Sequence, residues 1–349
     1  MTSLNDYAEQ LNASDQEDRI YAAEDIGYMN DPKGVPILLA RLVKEPSRAV
    51  RDVISQALIR IDSDAAIEGP IRLLESDDPQ IRNQAADVLR CKGARTIPFL
   101  NAAMSNGDKD IRKLVLDILS GNPASGAGAI YAAALSDPDQ NVVITAVENL
   151  GSIRAVEFRG RIEDLLQSGA HPMLISACLE ALVDIGQTSS LVAIRRLFPE
   201  FEKLPDFQLA SCLKAIAALG SAREFAEVAS QLYVRGPHLR PAILSALIAI
   251  YQRCPSLEAS DILLSELETL VDSEDSPLCR YQAVRLLSLL SPRDDVYAHL
   301  VSWLSNSERL VRLAAAEAIR MTERPGLELV LTARLREETD DEVLEALHC

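Results

Sequence analysis

The sequence predicts an all-α protein, a solenoid of about ten stacked helical hairpins. Three observations predict it. Aromatic residues make up only 4% of the 349-residue chain, while Ala, Leu, Arg and Glu abound, a balance that favours helices over strands. One phrase recurs, an acidic turn, an aliphatic–arginine pair and an apolar stripe, as in SDDPQIRNQAADVLR (76–90) and SNGDKDIRKLVLDIL (105–119). Residues at fixed distances from that arginine stay apolar along the whole chain.

The arginine position forms a ladder: Arg19, Arg51, Arg82, Arg112, Val143, Ile175, Leu209, Arg240, Arg280 and Arg312. Its steps run from 30 to 34 residues, with one of 40. Seven residues after each rung stand Ile26, Leu58, Leu89, Leu119, Leu150, Leu182, Ile216, Leu247, Leu287 and Ile319, all Leu or Ile. The residue three after each rung is never charged. Offsets of three and seven share one helix face, so these are the inward positions of equivalent helices.

The elements follow in order, and residues 1–349 read as a single solenoid. Residues 1–12 form an N-terminal cap helix with Leu4, Tyr7, Ala8 and Leu11 inward, and residues 13–338 hold about ten repeats. Each ladder helix is followed by a second apolar-periodic segment, among them VPILLARLV (35–43), AIEGPIRLL (66–74), FRGRIEDLL (158–166), LVAIRRLF (191–198) and VYAHLVSWL (296–304). Asp78, Asp108, Asp137 and Ser307 stand where N-caps are needed, and Gly27, Gly151, Gly186 and Gly220 where first helices end. GNPASGAGA (121–129) reads as a flexible turn. Repeats six and seven replace the arginine by Ile175 and Leu209. The eighth unit is longer by about nine residues, over 252–276, and is expected to bend the stack or present an extra loop. Residues 339–349 form a terminal helix, either a cap or the start of an eleventh repeat.

The pattern D-x-x-[VI]-R-x-x-A-[AV]-x-x-L stands clearest in DDPQIRNQAADVL (77–89) and LVRLAAAEAI (310–319), with DPDQNVVITAVENLG (137–151) close behind. It resembles bacterial HEAT-like repeats of the phycobilisome-lyase type, over roughly residues 13–338. The resemblance implies a right-handed superhelix of HEAT-like hairpins. Its matching residues are core and cap positions, so it implies no chemistry.

Charge and motifs narrow the function. A net charge of −17 and a pI near 4.7 argue against nucleic acid, whose phosphates need clustered Lys and Arg. The N-terminus has no secretory pattern, and the most apolar run, PAILSALIAIY (241–251), is too short to span a bilayer. Six cysteines without a pairing pattern fit a reducing, cytoplasmic setting. The four histidines precede Pro172, Leu239, Leu300 and Cys349, so the His-Glu pairs of di-iron HEAT-like hydroxylases are missing, as is any zinc spacing. The 121–129 run lacks the Lys-Ser/Thr of a phosphate loop. Cys178 and Cys212 share one offset in neighbouring repeats, a slot that otherwise holds small apolar residues, so core packing is the favoured reading. No catalytic, cofactor or metal residue is assigned.

What remains is a surface. Arg41, Arg72, Arg161, Arg195 and Arg196 lie 18–22 residues past their rungs, on second helices, with Arg154 and Arg159 just before the fifth of these. They read either as a stripe facing an acidic or helical partner protein, or as ion-pair partners for Asp and Glu of adjoining layers. Phe198, Tyr233 and Trp303, the single Trp, read either as binding anchors or as core. The expected function is a non-catalytic protein-binding scaffold or adaptor, without cofactor or membrane insertion, in a bacterial cytoplasm. The alternative is a bilin lyase subunit, or a chaperone-like factor, for a light-harvesting protein.

Overall fold

The computed structural model describes residues 3–121, 126–168, 171–273, 276–291, 294–322 and 324–348. The fold is an all-helical α-solenoid. A short helix, α1 (Leu4–Gln10), opens it, with Ser3 and Asp6 closing a reciprocal capping box. Hairpins follow: α2 (Gln16–Met29) with α3 (Gly34–Leu42), α4 (Arg48–Arg60) with α5 (Ala65–Leu73), α6 (Pro79–Lys92) with α7 (Ile97–Ala103), and α8 (Lys109–Ser120) with α9 (Ala127–Ala134). Next in sequence are α10 (Gln140–Ser152) and α11 (Arg159–Gln167). Then come α12 (Pro172–Ile185) with α13 (Leu191–Leu197), α14 (Asp206–Leu219) with α15 (Ala222–Val234), and α16 (Arg240–Arg253) with α17 (Asp261–Ser273). The last are α18 (Pro277–Leu290) with α19 (Asp294–Trp303), α20 (Arg309–Arg320) with α21 (Leu327–Leu335), and the single helix α22 (Asp341–His348). Of the turn predicted over 121–129, residues 122–125 lie outside the described residues, and 127–129 already belong to α9.

The chain divides into two compact units, Met1–Phe158 and Arg159–Cys349. In the first, α2 packs on α4, α4 on α6, α6 on α8 and α8 on α10. In the second, α12, α14, α16, α18, α20 and α22 pack in the same sequence. Each unit thus has a spine of first helices, and each second helix packs mainly on the first helix that comes after it, as α5 does on α6, α15 on α16 and α17 on α18. The predicted inward positions form this interior: all ten residues at offset seven and all ten at offset three are at most 1% exposed. Burial of a Leu or Ile side chain contributes about 1.5–3 kcal/mol, so these positions supply the main drive for stacking.

The repeated arginine has a defined job. Arg112 donates from Nε and Nη2 to the two carboxylate oxygens of Asp137, both at 2.7 Å, and from Nη1 to the carbonyls of Asn106 and Gly107. Asp137 also accepts the Asp139 N–H at 2.8 Å, at the start of the next first helix. Arg312 repeats this on Glu338, and Arg19 on Glu45. One side chain therefore ties the turn before its own helix to the turn before the next. Arg82 reaches only the carbonyls of Ser76 and Asp77, and Arg51 bonds the Glu45 carbonyl and the Gln80 amide oxygen.

Where the arginine is missing, other groups tie the layers. Arg235, at the end of α15, donates to the carbonyls of Phe201, Glu202 and Leu204 and to Asp206, gripping the turn before α14. The Ser176 and Ser211 hydroxyls meet at 3.0 Å between α12 and α14.

Two sets of cap assignments need correction. Asp78 and Asp108 are N-caps, accepting the N–H of Gln80 and Asp110, but α10 is capped by Asp139, because Asp137 is taken by Arg112. The residue before α20 is Glu308, not Ser307. Gly186 and Gly220 do end α12 and α14, but with ordinary negative φ. Gly27 and Gly151 lie inside their helices, and the left-handed positions fall to Asn30 and Arg154. Gly27 is needed for space instead: a Cβ there would sit 2.8 Å from the Ala57 Cα on the neighbouring helix.

The lengthened eighth unit spends its extra residues on an irregular approach, 254–260, and on α17, which runs 13 residues against nine in α3 and α5. Among the described residues no helix is long and apolar enough to cross a membrane.

Candidate functional site

The structure scatters the ten candidate residues over two fates. Arg41 is drawn into the first clasp: its Nε donates to Glu45 at 2.6 Å, alongside Arg19. Burial pushes the Glu45 carboxyl up, but hydrogen bonds from Arg19, Ser47 and Arg41 outweigh that and hold it below its ordinary range. Arg195, on α13, pairs with Glu224 at 2.5 Å and Glu227 at 2.8 Å on α15. Burial again opposes ionisation of Glu224, yet bonds from Ser221 and Arg195 bring it down to about 2. Arg159 pairs with Glu163 one turn on. Of these, Arg195 pairs with an adjoining layer, whereas Arg41 and Arg159 pair one turn on.

Arg72, Arg154, Arg161 and Arg196 are exposed. Arg72 lies 3.6 Å from Glu68, and Arg196 donates to the Gln167 amide oxygen at 2.8 Å. Among the aromatics, Phe198 and Trp303 are buried, Trp303 beside the His299 ring, whereas Tyr233 is 44% exposed at the end of α15. Arg72, Arg154, Arg161 and Arg196 lie on α5, the α10–α11 turn, α11 and α13.

Burial, together with the charge of Glu266 on α17, raises the Tyr233 phenol above the usual range. Ile262, one turn before Glu266, is 70% exposed, and Val234 beside Tyr233 is exposed too. Glu258, Asp261, Ser265 and Asp272 are exposed as well. The sequence marked this insertion for its length alone; the signal it also carried was that no Lys or Arg occurs between Arg253 and Arg280, against seven acids.

Cys178 and Cys212 are core residues, and burial pushes both thiols up to about 12. Among the described residues no cluster of three or more His, Cys, Asp or Glu is arranged to hold a metal ion.

The HEAT-repeat family matches residues 5–90. No curated protein matches the chain significantly. Among solved structures it is similar to importin beta, crystallised in an ammonium sulfate condition, with 12% identity and a TM-score of 0.60 over 99% of this chain and 56% of that one. It is also similar to a chain of the Kap95:Nup1 complex, with 14% identity and a TM-score of 0.61 over 99% and 55%. Kap121p bound to Pho4p gives 14%, 0.56, 99% and 45%. The chain thus spans about half the length of these solenoids, and at such identity the likeness is one of fold. HEAT repeats are accordingly found in this chain, within an α-solenoid.

Proposed function

We propose that the protein is a non-catalytic scaffold that binds another protein on its helix faces. The observation that carries this reading is a set of large apolar side chains left exposed on a close-packed stack. Met173 and Phe207, each two residues before its rung, are 62% and 63% exposed on successive first helices, and Tyr233 and Ile262 stand out on second helices. Their neighbours inside each helix are buried, so the exposure is not a failure of packing. Grouped apolar side chains on an otherwise polar surface mark interaction sites. The solved relatives include chains in complex with Nup1 and with Pho4p, which supports the same class of function. Within this reading Arg72, Arg154, Arg161, Arg196 and Tyr233 are the sequence-derived residues placed to touch a partner, while Arg41, Arg159 and Arg195 stabilise the fold. The repeat spacing supports membership of the short bacterial HEAT-like class, acting in the cytoplasm.

Capture of partners from the source cells with the whole chain as bait, in parallel with the Phe207→Ser, Tyr233→Ser and Ile262→Ser variants, tests the proposal. A stoichiometric partner lost in at least one folded variant is expected. If the protein instead captures nothing and shifts the absorbance of an added bilin, the lyase-type reading replaces it.

A further inference from the structure

We propose that a cavity at the C-terminal ends of α16, α18 and α20 binds a small apolar carboxylic acid, its hydrocarbon body against Tyr251, Tyr297 and Leu289 and its carboxylate on Arg324. The proposal goes beyond the scaffold reading and does not depend on it.

The three first helices pack on one another in succession, and α19 packs on both α18 and α20. Together they leave a space of about 390 Å³, within the range of small-molecule sites. Val296 and Leu300, at most 2% exposed, close its floor. Leu289, Tyr251 and Tyr297 are half-buried along its walls, and Met321, 76% exposed, stands at its rim. A flexible thioether there adapts to the outline of a ligand. The space is also readable from the ladder: eight residues after the rung, Ser288 lines the cavity where the preceding layer carries the buried Ile248.

Charge specifies the ligand. Among the described residues that line the cavity Arg324 is the only charged one, in a chain whose acids outnumber its bases by 52 to 35. Its guanidinium lies 4.8 Å from the centre of the Tyr297 ring, a cation–π contact that holds it at the cavity wall. It pairs with Asp294, whose side chain is 95% exposed. So exposed a pair contributes little, and a carboxylate inside the cavity competes with it for the guanidinium. The Ser288 and Thr322 hydroxyls already donate to the Arg285 and Ile319 carbonyls of their own helices, so recognition of a ligand's charge falls to Arg324. A charge-assisted hydrogen bond in a half-enclosed apolar site is stronger than the same bond in water.

Isothermal titration calorimetry of the full chain with naphthalene-2-carboxylate, and with 2-naphthalenemethanol as its uncharged analogue, tests this. We expect the carboxylate to bind at one site with a Kd of about 0.1 mM or tighter, about tenfold more tightly than the alcohol. Arg324→Gln should abolish that preference and leave the alcohol unchanged. Ser288→Phe, which fills the space, should weaken both compounds about tenfold. Arg48→Gln removes an exposed arginine of α4 and should change neither. Circular dichroism melts confirm that each variant folds, and Arg324→Gln, a change at the rim, decides the matter alone if Ser288→Phe does not. Absence of saturable binding, equal binding of the two compounds, or a preference that survives Arg324→Gln overturns the proposal, as does an equal loss in Arg48→Gln.

Discussion

Arg19 holds Glu45 by two hydrogen bonds, from Nε at 3.0 Å and from Nη2 at 3.1 Å, while its Nη1 donates to three carbonyls of the turn before its own helix. Glu45 is a buried carboxylate that also accepts the Ser47 N–H at 2.9 Å. Removing one partner of such a pair leaves the other charge buried and uncompensated. Glu45→Ala should therefore lower stability by about 3–5 kcal/mol. The exposed pair Arg72–Glu68 gives the contrast: Glu68→Ala should cost less than about 0.5 kcal/mol. Urea denaturation of the two variants checks the difference.

Acid should unlatch the clasps. Burial opposes ionisation of Glu338, but bonds from Arg312 and Arg334 hold it at about 2 in the fold, against an ordinary 4.5. The folded carboxyl is thus depressed, so its contribution is complete above the ordinary value and is lost as pH falls towards about 2. The shift corresponds to roughly 3 kcal/mol at neutral pH. Glu224 behaves alike. Unfolding free energy measured from about pH 6 to pH 2.5 should fall most below pH 4.5, with a shallower slope in Glu338→Gln.

Repeat three forms no clasp: Asp108, at the offset of 26 used by Glu45 and Glu338, caps α8 instead. Asp137 lies 25 residues after Arg112, and 25 residues after Arg82 stands Gly107. A cavity of about 200 Å³ lies there, lined by Arg82, Asp77, Asp108 and Asp110 among others, and a Cβ on Gly107 would meet nothing within 4 Å. Gly107→Asp should supply the missing carboxylate and raise stability by about 1 kcal/mol, a few degrees in Tm. A lower melting temperature would contradict the analogy between the repeats.

Gly27 makes the opposite prediction. Its missing Cβ is replaced by the backbone and Cβ of Ala57, at 2.8 and 2.9 Å, and neither can swing aside as a side-chain tip would. Gly27→Ala should destabilise by about 1–3 kcal/mol despite the better helix propensity of Ala, as thermal melting would show.

Architecture was legible in the sequence because stacking is periodic burial. The Leu and Ile at offset seven cannot face water, and their spacing alone located ten first helices. Capping was less legible. Asp137 and Asp139 are both good N-cap residues, and only the position of Arg112 in space decides which one is free to cap. The clasp itself went unread because its acid lies in the turn before the next repeat, as Glu45, Asp137 or Glu338, shifting by one residue and changing type. The surface was read through its arginines, yet Arg41 and Arg195 spend their charge inside the stack. No Lys or Arg stands between Arg253 and Arg280, a signal that composition held and periodicity did not.

The central claim is that Arg19, Arg112 and Arg312, where the recurring arginine meets a carboxylate, each couple their layer to the next. A double-mutant cycle on Arg112 and Asp137, with Arg112→Ala, Asp137→Ala and the double variant compared by urea denaturation, tests it most directly. The clasp predicts a coupling energy of at least about 1.5 kcal/mol, with the double variant little worse than either single one. Additive losses, with coupling below about 0.3 kcal/mol, would show that the two side chains merely lie near each other and would contradict the account.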